Sequence, residues 1–128
     1  MMEKYELDEG RYHENEGHIT RIAILTGCEY EDIKLVAPDK KLWKGTDYVK
    51  TFNKLGFNTN PRFVSFDKDT YYPCLMRYHN KDELKYWYAF AYYDGIVYQG
   101  CSMKCTLDEW LEAYGHRVVI TSMLQVWI

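Results

Sequence analysis

The sequence predicts an α+β domain in which helices come first and an antiparallel sheet follows. Three observations carry that expectation. Helical spacing of apolar residues occupies residues 17–55 and returns only at Thr106–Tyr114, extended alternating segments begin after Gly56, and Asp94-Gly95 stands between two apolar runs as a hairpin turn. With 128 residues, 47% hydrophobic and 27% charged, the chain is long enough to bury a core and too apolar for disorder.

Residues 1–16 are rich in Glu, Asp and Gly and lack sustained periodicity, so they are expected as an extended acidic leader anchored by Tyr5 and Leu7, ahead of a single domain over 17–128. The stretch from Gly17 to Gly27 is apolar around most of a helical circumference. Ile19, Ile22, Ala23 and Thr26 form one face and Ile24 and Leu25 fill the flank, which predicts a buried helix that the other elements pack around. Gly27 ends it, and a second short helix runs from Glu29 to Val36, stopped by Pro38. Leu42 and Trp43 are expected to tuck into the following loop. Thr46 is the expected N-cap of a third helix through Leu55, with Val49, Phe52, Asn53 and Leu55 inward, and Gly56 closes it.

Phe57–Phe66 then reads as extended, a strand only from Arg62 because Pro61 interrupts it. Tyr71–Tyr78 is a second strand and Leu84–Tyr93 a third, apolar on both faces as a central strand would be. Ile96–Gln99 pairs back across the turn. Thr106-Leu-Asp-Glu109 is a capping box that opens a helix through Tyr114, Gly115 ends that helix, and Val118–Trp127 supplies the last strand or a bent pair.

Charge and cysteine usage exclude several function classes. The net charge of −3, without a dense Lys/Arg stripe, argues against nucleic-acid binding through phosphates. The acidic opening does not read as a secretory signal and no apolar run is long enough to span a bilayer, so a cytoplasmic protein with no membrane role is expected. Cys28, Cys74, Cys101 and Cys105 would then be reduced thiols. Cys101-x3-Cys105 is a weak zinc signal, since His116 or His79 would have to approach and no fourth ligand is evident, so no metal site is assigned. No cofactor is implied.

The run His18-Ile-Thr-Arg-Ile-Ala-Ile-Leu-Thr-Gly27, followed by Glu29-Tyr30-Glu31-Asp32-Ile33, resembles the opening of small papain-like cysteine peptidase domains common in phage and bacterial genomes. Those domains read Asp-Cys-x-Thr-Arg-Ala-x-Ala-x-x-Thr-Gly before a Tyr-containing second helix. Tyr48 to Phe57 looks like the family's helix ending in Leu-Gly, and Tyr86 to Gln99 like its hairpin around Asp-Gly. The resemblance implies a papain-like fold, with N-terminal helices packed on an antiparallel β-sheet. It also implies where the catalytic groups would stand. The nucleophile position is His18, preceded by Gly17; the base position is Tyr88, or Tyr86 if the hairpin is two residues longer; the third polar position is Gln99. A thiolate mechanism needs a cysteine and an imidazole base, and imidazole, phenol and amide stand there instead. A His at a helix N-terminus is expected to be neutral, and a phenol with a pKa of about 10 is a poor base. The resemblance thus implies a pseudoenzyme.

Other residues are weighed against simpler roles. His18 is either a ligand or base in a new reaction or a histidine hydrogen-bonded to backbone. Cys28 follows the first helix and reads as a structural thiol, and Cys74 as a small buried apolar group. His79 and Asp82 fall in an expected exposed loop. Thirteen tyrosines and four tryptophans exceed what a core of this size requires. Tyr71, Tyr72, Tyr86, Trp87, Tyr88, Tyr93 and Tyr98 are the expected binding residues, because tyrosine offers broad contact with few rotatable bonds, although half-buried strands also favour aromatics. The favoured function is a catalytically inactive protein-binding domain, a phage-encoded modulator or inhibitor of a host protein acting in the host cytoplasm. Acidic Glu3, Asp8, Glu14 and Glu16 suit a partner with a basic face, and the exposed aromatics leave homo-oligomerisation open. The alternative is a hydrolase or acyl-transfer enzyme with a displaced constellation, such as His18 with Tyr88 or Cys74 with His79.

Overall fold

The computed structural model describes Leu7, residues 17–100 and residues 103–128. Among these, three helices come first, α1 (Gly17–Thr26), α2 (Tyr30–Val36) and α3 (Gly45–Lys54). The strands are β1 (Asn58–Thr59), β2 (Val64–Ser65), β3 (Cys74–Asn80), β4 (Glu83–Tyr93), β5 (Ile96–Gly100) and β6 (Met103–Thr106), followed by α4 (Leu107–Tyr114) and β7 (Val118–Trp127). The chain is α+β, with one antiparallel sheet in the order β1-β7-β3-β4-β5-β6 and β2 also paired to β7. The last strand therefore lies inside the sheet, between β3 and the two short bridges at the edge.

The sheet has a core on each face. Leu75, Ala89, Ala91, Tyr93, Tyr98, Leu124 and Val126 meet α1 to α3, while Cys74, Met76, Tyr92, Val97 and Met123 meet Leu107 and Trp110 of α4. Two irregularities set which residue looks which way. A bulge in β7 beside Arg77 and Tyr78 lets Val118 and Ile120 face α4 while Leu124 and Val126 face the helices. In β4, residues 84–87 stand opposite the single His79, an odd slip that puts Glu83 and Tyr88 on one face, opposite Asn80 and Tyr78.

α1 is buried around its circumference, with Ile19, Thr20, Ile22, Ala23, Ile24 and Leu25 all inside, and it packs on β3, β4 and β5. Leu7 is buried in the same cluster and its amide donates to Tyr98 Oη at 3.2 Å, which bears out that anchor of the leader; the rest of the leader, Tyr5 included, lies outside the described residues. α3 starts two residues earlier than expected. Its N-cap is Lys44, not Thr46, because the Asp47 carboxylate accepts from the Lys44 amide at 2.7 Å and ties off the first turn from within. Its buried side carries Tyr48, Thr51 and Phe52, and Asn53 is exposed. The helix ends with Phe57 N donating to Phe52 O and Gly56 N to Asn53 O, a reversal that needs the φ of +91° only glycine adopts cheaply.

Trp43 is tucked in but Leu42 is exposed, since only the indole reaches the first turn of α1. Pro61 separates two short bridges, β1 and β2, rather than preceding one strand, and β3 begins at Cys74, after Pro73. β6 was not expected from sequence. The capping box is present in full, with Glu109 N donating to Thr106 Oγ1 at 3.1 Å and Thr106 N to Glu109 Oε1 at 2.9 Å. Among the described residues no helix is long and apolar enough to cross a membrane.

Candidate functional site

The first turn of α1 holds a closed hydrogen-bond chain. Tyr48, one turn into α3, is fully enclosed against α1, and its Oη lies 2.8 Å from His18 Nδ1. His18 Nε2 lies 3.0 Å from the carbonyl oxygen of Lys41. A carbonyl only accepts, so Nε2 carries the proton and donates, and Nδ1 accepts from the tyrosine hydroxyl. Arg21, three residues along α1, donates from its guanidinium to Tyr48 Oη at 3.2 Å. The chain thus runs from Arg21 to Tyr48, to His18, to the Lys41 carbonyl. Trp43 covers the imidazole, its ring stacked at 4.9 Å and 15°.

These contacts hold His18 neutral. Burial lowers its pKa most and the Arg21 charge adds to the effect, together outweighing the Lys41 hydrogen bond and the Asp47 carboxylate, which raise it. Burial likewise raises the Tyr48 phenol, so no phenolate forms there near neutrality. Both imidazole nitrogens are spent on protein partners, and neither lone pair nor proton is left to serve a substrate.

The residues matched to the papain-like base and third position are not brought to His18. Tyr93, Ala91 and Ala89 face α1, so in β4 the odd residues point toward the helices and Tyr88 points away; its ring packs on Tyr78 at 5.7 Å on the α4 side. Tyr86 lies in the four-residue bulge, half-exposed, with Lys85 Nζ 5.4 Å from its ring centre. Gln99 borders α4, and its Nε2 donates to Cys105 Sγ at 3.2 Å. The β4 residue that reaches the His18 network is Trp87, whose ring lies 6.1 Å from Tyr48. Counting residues back from the turn missed it because a one-residue offset reverses the face. Tyr48 and Arg21 were missed as well. The only sequence signal was the helical spacing of Arg21 from His18.

The displaced pairs do not form either. Cys74 is sealed in the α4-side core and burial pushes its thiol far above the normal range. His79 is five residues along the same strand, about 16 Å away at roughly 3.3 Å per residue, with its Nδ1 at the Asn80 carbonyl. Asp82 is exposed as expected. No cluster of three metal-ligating side chains occurs among the described residues, and Cys101 lies outside them.

The aromatic set divides by burial. Tyr93 and Tyr98 are 1% and 2% exposed and belong to the core, so they offer no surface to a partner. Trp87 is half-buried between Tyr48 and Phe63, with the Arg77 guanidinium 5.3 Å from its ring. The accessible members form two patches. Tyr71 packs edge-on to Tyr72, which stacks on Trp127, whereas Tyr86 and Tyr88 stand beside the other end of β3, about 20 Å away by strand rise. No family model matches this chain, and no curated protein matches it in sequence.

Proposed function

We propose that the protein is a non-catalytic binding domain, a papain-like pseudoenzyme that grips a protein partner, encoded by a phage and acting on a host protein in the host cytoplasm. The observation that carries the loss of catalysis is the commitment of both His18 nitrogens, one to Tyr48 and one to the Lys41 carbonyl. Trp87 strengthens it: if the frame is papain-like, the residue reaching the old site from the long strand is an indole, which accepts no proton. Binding is favoured by the exposed pair Tyr86 and Tyr88, each more than two-fifths accessible beside the still more exposed Leu84, an apolar strip on a strand whose β5 partner pairs only residues 91–93.

The test is a photo-crosslinking amino acid placed at position 88 and, as a control, at the exposed Leu35 of α2, in lysate of the source cells. One discrete adduct from position 88 and none from position 35 is expected. The same diffuse ladder from both positions, or hydrolysis of ester and peptide substrates that disappears in His18→Ala, would overturn the proposal.

A further inference from the structure

A cleft of about 720 Å³ lies on the face of the sheet opposite the His18 network, between β3, β4 and α4. Tyr78, Phe90 and Tyr114 present partly exposed ring surface to it, and Trp110, only 2% exposed, packs against them from within the core. Tyr78 stacks on Phe90 at 5.6 Å and meets Trp110 edge-on at 5.1 Å, and Trp110 contacts Tyr114 at 5.7 Å. The tight hairpin between β3 and β4 brings Asp82 and Glu83 to the rim, and neither carboxylate pairs with a cation among the described residues. The C-terminal end of α4, with its partial negative charge, opens on the same space and has no basic residue in its last turn.

Ring faces, two carboxylates and a helix C-terminus all favour positive charge. The opposing group is Arg117, and it illustrates the preference, because its guanidinium already lies 5.6 Å from the Tyr114 ring centre. We infer that this cleft receives a lysine or arginine side chain of a partner polypeptide, the cation over the Tyr78, Phe90 and Tyr114 rings and paired to Glu83 and Asp82. The inference rests on the protein-binding reading and gives that partner its chemistry, a basic segment matching the chain's net charge of −3.

Isothermal titration calorimetry reads the binding. The probes are Ac-Gly-Arg-Gly-NH2, its neutral citrulline counterpart, and tetramethylammonium. The arginine peptide is expected to bind about tenfold more tightly than the citrulline peptide, with affinity falling as salt rises. Glu83→Gln and Tyr114→Ala, both at exposed positions, should each weaken it by about three- to tenfold. Arg117→Ala removes the resident cation and should tighten it, a gain that damage to the fold would not produce. Equal binding of the citrulline peptide, no response to these variants, or no binding at all would overturn the inference. Tighter binding of tetramethylammonium than of the peptide would also overturn it, in favour of a small-cation site. The titration needs no natural partner, so its failure is separable from failure of the crosslinking test.

Discussion

Removing the His18 imidazole should destabilise the fold, which distinguishes a structural histidine from one kept for chemistry. In His18→Ala the Tyr48 hydroxyl loses its acceptor at a site only 1% exposed. Leaving a buried donor unsatisfied costs about 1–3 kcal/mol. Loss of the Trp43 stack adds about 0.5–1.5 kcal/mol, giving about 1.5–4.5 kcal/mol in all. Tyr48→Phe removes the donor itself and should cost only about 1 kcal/mol. With phenylalanine already at 48 no hydroxyl is orphaned, so His18→Ala then costs little beyond the stack. The double-mutant cycle should therefore return a coupling of about 1–3 kcal/mol, the cost of the orphaned hydroxyl. Urea unfolding followed by circular dichroism reads these as shifts in midpoint with unchanged slope. A His18→Ala protein within about 0.5 kcal/mol of wild type, with no coupling to Tyr48, would refute the reasoning, because surface changes of no structural consequence fall in that range.

Three further outcomes test the architecture. Asp94 and Gly95 both have positive φ, at 52° and 79°, so Gly95→Ala should cost about 1–2 kcal/mol in the same unfolding assay. Thr106→Ala breaks the capping box of α4 and should cost about 1 kcal/mol, whereas Thr106→Ser should recover most of it. Cys74, buried with its thiol pushed up, should resist a disulfide reagent in the native protein and react only on unfolding, while Cys28, partly accessible, reacts before it.

Much of the fold was legible in the sequence where a local rule decides it. An apolar run of helical length gave α1, Asp-Gly between apolar runs gave the β4–β5 hairpin, and Thr106 with Glu109 gave the start of α4. Features that depend on pairing partners were not legible. The bulge opposite His79 and the one in β7 reverse which residues face the helices, and nothing local to residues 84–87 or 118–122 announces the reversal. β6 exists because β5 offers it an edge. The sequence drew attention to His18 but could not reveal that Tyr48, thirty residues away, would take its Nδ1. The tyrosine-rich composition likewise mixed core residues, Tyr93 and Tyr98, with surface ones, since alternation alone does not say which sheet face is covered.

The central claim is that His18 is a neutral, fully engaged link in the Arg21–Tyr48–Lys41 chain. Its depressed pKa makes that claim pH-dependent: the unfolded chain binds the extra proton first, so the stability contribution is present above the ordinary value of 6.5 and lost as pH falls through the lower native value. The most direct measurement is long-range proton–nitrogen NMR of the histidine ring across that range. The account predicts a single His18 tautomer protonated at Nε2, titrating below 6.5. A ring protonated at Nδ1, a mixture of tautomers, or a pKa at or above 6.5 would contradict it, and would return to His18 a free nitrogen with which to do chemistry.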